Sequence, residues 1–263
     1  MSILLDRRLL AGAVLALGAA LAQPACADDT SGSGWHWSFS TSGNSRVVGS
    51  GKLQNETRNV TGFQAIALRG SMKLVLRQGA RESVELRADD NLLPLIETQV
   101  VDRGGVPTLE LGMKKGTSYK SSAPIVVTVD LINLRALSIS GSGDVVGDAL
   151  KTPALAIAIS GSGNVKISQL AADEVSAKVS GSGDLQFGGR AGKLGVSISG
   201  SGDVNARALE ADDVSVSVAG SGDANVTARK TLSVSIAGNG SVSYAGDAVV
   251  KTSIAGHGTV RKQ

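Results

Sequence analysis

The residues whose type and spacing could support chemistry are five carboxylate and amide side chains, each placed directly after a Gly-Ser-Gly triplet. They are Asp144, Asn164, Asp184, Asp203 and Asp223. In a chain that coils once per repeat, these side chains form a ladder with neighbours about 4.8 Å apart. Stacked carboxylates repel each other unless solvent or a cation screens their charge. The ladder therefore suggests two kinds of chemistry, calcium binding and the hydrolysis of a glycan.

Calcium binding is poorly supported by the composition of the ladder. A hard cation requires about six or more oxygen ligands, and one side chain per coil supplies few of them. The repeat also lacks the second aspartate and the roughly nine-residue period of calcium-binding repeats. Aspartate and asparagine favour tight corners for a structural reason, because their side chains bond their own backbone. We therefore predict a structural surface ladder, with no metal and no cofactor.

A carbohydrate-cleaving site is not favoured either. Two carboxylates about 5 Å apart would suit a retaining glycosidase, but the two groups need unlike surroundings, and this ladder is uniform. Aromatic residues that could stack on sugars are isolated, at Tyr119, Phe187 and Tyr244. Neither Arg190 nor Arg229 is grouped with the ladder. The sequence predicts a protein that is not an enzyme.

The ladder belongs to a repeat that runs through the C-terminal half of the chain. Residues 137–145 read Leu-Ser-Ile-Ser-Gly-Ser-Gly-Asp-Val, and related copies return six times at spacings of 18 to 20 residues. A fixed period near 20 residues is typical of stacked repeats. Valine and isoleucine alternate with serine or alanine, which predicts a strand with one buried face. The Gly-Ser-Gly-Asp that follows predicts a tight corner.

One corner of each repeat is strict, whereas the opposite side varies in sequence and length. This asymmetry favours a coil that goes round once per repeat over a sandwich of antiparallel hairpins. We predict an all-β, single-domain, right-handed parallel β-helix with about 18–20 residues per coil. Both glycines of each corner are expected to adopt φ > 0. These structural corner glycines are Gly141, Gly143, Gly161, Gly163, Gly181, Gly183, Gly200, Gly202, Gly220 and Gly222.

The first 27 residues are predicted to be a secretory signal peptide. Two arginines precede an apolar run over residues 9–22, which is too short to span a membrane as a helix. The triplet around Cys26 fits a cleavage site, and lipidation of Cys26 is the alternative. The predicted mature chain has no transmembrane segment. Its formal charge falls from +3 to +2 on loss of Asp6, Arg7 and Arg8, and its scattered basic residues do not indicate nucleic-acid binding.

Residues 28–46 are predicted to be a linker rich in serine and glycine, and residues 47–263 to be the β-helical domain. An aromatic pentad, Trp-His-Trp-Ser-Phe at residues 35–39, interrupts the linker. We interpret it as a short strand that docks on the body or caps an open coil end. An aromatic contact for a partner and a metal ligand at His36 are the alternatives.

Within the domain, residues 47–52 are a candidate early corner, and Gly70 fits the frame of the repeat. Residues 89–99 are expected to hold one turn of helix or a bulged strand, and residues 114–122 a charged, flexible loop. The length from residue 47 to residue 260 has room for roughly 10–11 coils of about 20 residues. His257 occupies the corner position held elsewhere by serine, which predicts a turn residue.

Several of these motifs together resemble a known family. They are Arg-Asn-Val-Thr-Gly-Phe at residues 58–63, the Gly70 corner, Asp-Asp-Asn-Leu-Leu-Pro at residues 89–94, and the repeated Ser-Gly-Ser-Gly-Asp-Val. The combination is similar to the putative auto-transporter adhesin head GIN domain, a domain of unknown function, over about residues 47–260. The resemblance implies an exported bacterial β-helical domain with an adhesin role by analogy, and it implies no catalytic residues.

These observations predict a non-enzymatic protein exported to the periplasm, the outer membrane or the cell exterior. Rows of serine hydroxyls and the ladder would offer a repetitive polar face to an envelope glycan or a protein surface. The alternative is a periplasmic structural module that self-associates through its coil ends into a homo-oligomer, because exposed strand edges pair readily. A polysaccharide lyase or hydrolase is the least favoured hypothesis.

Overall fold

A computed structural model of the chain describes residues 45–263, which belong to one compact unit. The predicted signal peptide, Cys26 and the aromatic pentad lie outside the described residues. Apart from one 3₁₀ turn at Leu93–Leu95, the regular structure between residues 45 and 263 is strand. No helix in this part of the chain has the length and apolar character needed to cross a membrane.

The strands follow one another in chain order. They are β1 (Ser45–Val48), β2 (Leu53–Arg58), β3 (Ala65–Gly70), β4 (Lys73–Gln78), β5 (Ser83–Asp89), β6 (Ile96–Asp102), β7 (Pro107–Met113), β8 (Thr117–Lys120), β9 (Val126–Leu131), β10 (Ala136–Gly141), β11 (Asp144–Gly161), β12 (Asn164–Gly181), β13 (Leu185–Gly200), β14 (Val204–Gly220), β15 (Ala224–Gly238), β16 (Ser241–Ala245), β17 (Val249–Gly256) and β18 (Thr259–Lys262).

The regular part is a parallel β-solenoid of about six turns, which confirms the predicted β-helix. We call the segments that end at a corner glycine, such as β10, face A, and the segments that begin after the corner, such as residues 144–147, face B. The glycines of successive corners pair in register, for example Gly141 with Gly161 and Gly161 with Gly181. Strands β11 to β15 each continue from face B round the opposite side of the coil, the return side, to face A.

The alternation read from the sequence is the alternation of burial in the structure. Leu137, Ile139, Ile157 and Ile159 are almost completely buried, while the residues between them face outward. Burying one such side chain stabilises the fold by about 1.5–3 kcal/mol. A single coil encloses too few of them to be stable alone, so the apolar interior becomes continuous only when coils stack.

The part of the chain before Ala136 is less regular than predicted. The coil formed by β3 and β4 lies between β10–β11 on one side and β7–β9 on the other, although β7 and β9 follow it in sequence. Beyond β7 and β9, the pairs β2–β5, β5–β9 and β6–β7 are antiparallel. Residues that were expected to form further parallel coils form these antiparallel pairs instead. The solenoid therefore has about six turns rather than the roughly 10–11 coils predicted from the sequence.

Three local expectations can be compared with this part of the structure. The helical turn expected within residues 89–99 is present as the 3₁₀ turn. The flexible loop expected at residues 114–122 is wrong, because β8 lies there and pairs in parallel with β1. Residues 47–52 are not a corner of the solenoid, since they join β1 to β2 and their Gly51 has no partner in the glycine column.

Candidate binding surface

The ladder residues are exposed, and each is bonded to the next coil. Asn164 donates its Nδ2 to Asp144 Oδ1 at 2.9 Å, and its own Oδ1 accepts the backbone N–H of Asp184 at 3.2 Å. Asp184 and Asp203 each accept the backbone N–H of the following ladder residue, at 3.2 and 2.9 Å. The sequence predicted that these side chains bond their own backbone, whereas the structure gives each of them a partner one coil further on.

This arrangement answers how a column of carboxylates is tolerated. The backbone N–H groups of Asp203 and Asp223 supply charge-assisted hydrogen bonds to the carboxylates of Asp184 and Asp203, which offsets part of the repulsion along the ladder. At its first position, Asp144 pairs in register with Lys73 of β4. Among residues 45–263, no group of three or more His, Cys, Asp and Glu residues could hold a metal ion. The ladder can therefore brace adjacent coils with protein groups alone.

A pair of substitutions at Asp203 tests this structural role. Because asparagine keeps an oxygen acceptor and removes a charge, Asp203→Asn should leave the free energy of unfolding within about 0.5 kcal/mol of wild type. Asp203→Ala removes the acceptor and should cost about 0.5–1.5 kcal/mol. Urea denaturation measures both values. Addition of calcium should not shift the midpoint of any variant, and a calcium-dependent gain that disappears in Asp203→Asn would contradict the structural role.

The corner glycines have two different reasons for being glycine. The first glycine of each pair has positive φ, from 117° at Gly141 to 137° at Gly220, a region that side-chain-bearing residues rarely adopt. The second glycine does not, so the prediction of φ > 0 for both is wrong for Gly143, Gly163, Gly183, Gly202 and Gly222. At Gly183 a Cβ would collide with the backbone oxygen of Gly163 and with Ile159. The second position is thus restricted by the close stacking of coils.

Serine hydroxyls form two rows beside the ladder. The first row lies on face A and pairs in register through Ser140, Ser160, Ser180 and Ser199. The second row lies within the corner, between the two glycines of each pair. It consists of Ser142, Ser162, Ser182, Ser201 and Ser221, whose backbone N–H groups bond the first glycine of the preceding coil at 2.9–3.1 Å. Both rows are exposed, so the glycine corner and the adjoining part of face A present hydroxyls at a regular spacing.

Of the residues considered for sugar stacking or catalysis, Tyr119 lies at the first corner and His257 at the last, and the others lie away from the ladder. Phe187 is completely buried, and the hydroxyl of Tyr119 lies 3.2 Å from the hydroxyl of Ser71. Tyr244 is half-buried against the core. Arg190 and Arg229 lie on the return side, near Glu210, at 3.7 and 3.6 Å. The backbone N–H of His257 bonds Gly238 at the corner, as the serines do in other coils.

A buried carboxylate in the N-terminal part was not predicted from the sequence. Glu110 of β7 is 7% exposed and contacts the guanidinium groups of Arg103 and of Arg69, the latter at 3.1 Å. The hydrogen bond from Arg103 holds the pKa of Glu110 below its ordinary value of 4.5, while burial acts in the opposite direction. No local pattern marks this group, because its partners come from β3 and from the loop after β6.

The lowered pKa of Glu110 predicts a pH dependence of stability. Glu110 binds a proton less readily in the folded chain than in the unfolded chain, so its contribution is complete above the unfolded pKa. That contribution should be lost as the pH falls from about 4.5 through the lower folded pKa. Urea midpoints measured between pH 7 and pH 3 should therefore fall less steeply in Glu110→Gln than in wild type. Identical slopes for the two proteins would contradict the assignment.

Fold and surface together define a parallel β-solenoid whose conspicuous regular features are a closed glycine corner and rows of exposed small polar side chains. Residues 62–248 match the family described as the putative auto-transporter adhesin, head GIN domain, and the chain belongs to this family. The family expected from the sequence motifs is thereby confirmed. The comparison with curated proteins found no match.

Several solved structures are similar to this chain. A putative adhesin from Bacteroides fragilis is 27% identical with a TM-score of 0.78, covering 82% of this chain and 100% of its own. A putative adhesin from Parabacteroides distasonis is also 27% identical, with a TM-score of 0.67 and coverage of 83% and 100%. A putative lipid binding protein from the same species, at 23% identity, 83% and 100% coverage and a TM-score of 0.66, shares the fold.

Proposed function

We propose that this protein is a non-enzymatic, exported component of the cell envelope that binds a surface partner through its rows of exposed serines. The partner class is an envelope glycan or a protein surface. One observation carries the proposal: the hydroxyls of Ser140, Ser160, Ser180 and Ser199 stand in one exposed row at the strand spacing of the solenoid. Membership of a family described as adhesin heads supports the same class of function.

The geometry of the row suits an extended partner. Neighbouring hydroxyls are separated by about 4.8 Å, the distance between strands, and each can donate one hydrogen bond and accept two. A linear polymer lying along the solenoid axis would meet one hydroxyl per coil. Except at Lys178, the outward side chains beside the row are small, so a partner could approach the backbone closely.

The cellular side of the proposal is tested by protease shaving of intact cells. The protein would carry a C-terminal tag, and a periplasmic protein would serve as the control. Digestion of the tagged protein while the control survives would support a position on the cell exterior. Digestion only after the outer membrane is opened would contradict adhesion to other cells and leave periplasmic partners as the ones to pursue.

The binding side is tested by blocking the row. Ser180→Arg places a bulky charged side chain in the middle of the serine row, and Gln186→Arg places the same side chain on face B, away from it. Binding of the purified protein to isolated cell envelopes is measured by co-sedimentation. We expect Ser180→Arg to weaken binding at least tenfold and Gln186→Arg to leave it unchanged. Equal effects of the two substitutions would contradict the assignment of the surface.

A second candidate function is that of a structural module that self-associates through its coil ends. The observation that favours it is the last coil, in which β17 and β18 each pair with only one neighbour. Val249 and Ile254 of that coil are largely exposed. Such edges offer unpaired backbone groups and apolar side chains to another chain.

A further inference from the structure

The exposed apolar side chains of the described residues are concentrated near the two ends of the solenoid. Val249 is 68% and Ile254 is 45% exposed at the C-terminal end. Val48 is 64% and Leu53 is 46% exposed in the N-terminal part, where β2 forms an edge. Only Ile132, at 53%, stands apart from both among the large exposed apolar residues between residues 45 and 263. Exposed apolar side chains beside unpaired strand edges are candidates for association with another chain.

Among residues 45–263, both ends also carry strand edges that pair with no further strand, on both faces of the solenoid. At the C-terminal end, the outer edges are β17 on face A and β18 on face B. At the N-terminal end, they are β6 on face A, which pairs only with β7, and β2 on face B, which pairs only with β5. An end-to-end stack would place the two edges of each face next to each other.

The charges that remain after ion pairing differ in sign between the two ends. At the C-terminal end, Lys262 is paired with Asp247 at 3.1 Å, and Lys251 and Arg261 have no ion-pair partner among residues 45–263. At the N-terminal end, Glu56 is paired with Arg58 and Glu97 with Arg69, which leaves Asp102 of β6 as the unpaired charge of the edge strands. Complementary charge therefore favours the joining of one C-terminal end to one N-terminal end.

The interiors of the two ends differ in a way that fits the same arrangement. At the N-terminal end, Arg58 reaches from β2 to β6 and donates hydrogen bonds to the backbone oxygens of Ile96 and Leu93 and to Thr98. The interior is thus already closed there, and contact would be made by the rim. At the C-terminal end, the whole of β17 is exposed or half-buried, so its apolar side chains gain most from being covered.

We infer that copies of this chain assemble head to tail, with the C-terminal edges β17 and β18 of one copy added to the N-terminal edges β6 and β2 of the next. Because β6 is antiparallel to β7, β17 adds to β6 as an antiparallel neighbour. The two contacting surfaces are different, so the interface is heterologous and each added copy leaves one free end. The product is an open filament. This inference rests on the second of the two functions proposed above.

Sedimentation velocity of the exported protein tests the inference. Wild type should form a series of species that grows with protein concentration beyond the dimer. The series should shrink as the salt concentration rises from about 0.05 to 0.5 M, since salt screens the charges of the two ends. A wild-type protein that stays monomeric at every concentration in low salt would overturn the inference, and so would a series that stops at the dimer.

Blocking one end at a time then establishes the polarity. Ile254→Lys should block the C-terminal end and Leu53→Lys the N-terminal end, each weakening self-association at least tenfold, whereas Ile132→Lys is the matched control and should assemble as wild type. A mixture of the two blocked variants should give a 1:1 dimer, because each retains one functional end. Dimers of either variant alone, a monomeric mixture, or loss of assembly in Ile132→Lys would each overturn the inference.

Circular dichroism and thermal unfolding identify any variant that fails to fold. In that case Lys251→Glu replaces Ile254→Lys and Asp102→Lys replaces Leu53→Lys, since Lys251 and Asp102 are both exposed. Binding to cell envelopes is measured in parallel on the folded Ile254→Lys monomer. Retained envelope binding without assembly separates the failure of assembly from the failure of surface binding through the serine row.

Discussion

Replacing Gly220 by alanine is expected to prevent folding or to lower the free energy of unfolding by more than about 4 kcal/mol. Gly220 has φ of 137°, where a Cβ is strained. That Cβ would also lie less than 3.0 Å from the backbone oxygen of Gly200. This oxygen cannot move away freely, because it accepts the backbone N–H of Ser221 at 2.9 Å. The Cβ of alanine at position 220 would therefore be destabilising for two reasons, the strained backbone conformation and the collision with the Gly200 oxygen.

The solenoid supplies its own control for this experiment. Gly70 occupies the same place in the first corner, with φ of 97°, but a Cβ there would meet nothing within 4 Å. Gly70→Ala should therefore cost only the conformational strain, about 1–3 kcal/mol. Urea denaturation of both variants measures the difference. Equal losses would show that the backbone conformation alone, and not the stacking of corners, requires glycine at this position.

The regular half of the fold was predictable because its information is local and repeated. The period-two alternation around Ile139 and Ile159 identifies the buried face of each strand. The glycine pairs identify the place where each strand turns, and because they recur every 18 to 20 residues they also fix the register between coils. Every coil repeats the same three signals, so a strand or corner that is ambiguous in one repeat can be assigned from the other repeats. The parallel solenoid follows from these signals without knowledge of any long-range contact.

The N-terminal part could not be predicted in the same way, because its order in space differs from its order in sequence. Strands β7 and β9 follow β3 and β4 along the chain but pair on their outer side. Nothing in the local pattern distinguishes this insertion from a simple succession of coils. Whether a strand in this part pairs in parallel or antiparallel depends on distant partners, which the local alternation of side chains does not specify.

For the candidate surface, the sequence identified the positions and missed the contacts. Asp184 and Asp203 were recognised from their place after the corner, and a structural role was preferred to calcium binding. The identity of the bonded group, a backbone N–H of the next coil, depends on how the corners stack on one another. Residue type alone does not encode that stacking. For the same reason, the pairing of Glu110 with Arg69 and Arg103 became visible only in the structure.

The second large effect is expected at Phe187, which the sequence presented as an isolated aromatic residue. It is completely buried and pairs in register with Ile167 of β12. Strand β13 has 16 residues where β12 has 18, and the register shifts directly after this pair. The ring therefore occupies the interior at the point where the coil shortens, and it is followed by Gly189, where a Cβ would collide with the backbone of Leu170.

Phe187→Ala should lower the free energy of unfolding by about 3–5 kcal/mol, because the shortened coil has little freedom to close the cavity. Phe187→Leu is the matched control and should cost less than half as much, since it keeps most of the apolar volume. Urea denaturation measures both. In a solenoid each coil contacts only its neighbours, so hydrogen exchange should accelerate most in β12, β13 and β14 and least in β3. A cost below about 1.5 kcal/mol for Phe187→Ala would mean that the ring does not support the coil, and uniform acceleration would mean that the solenoid unfolds as one unit.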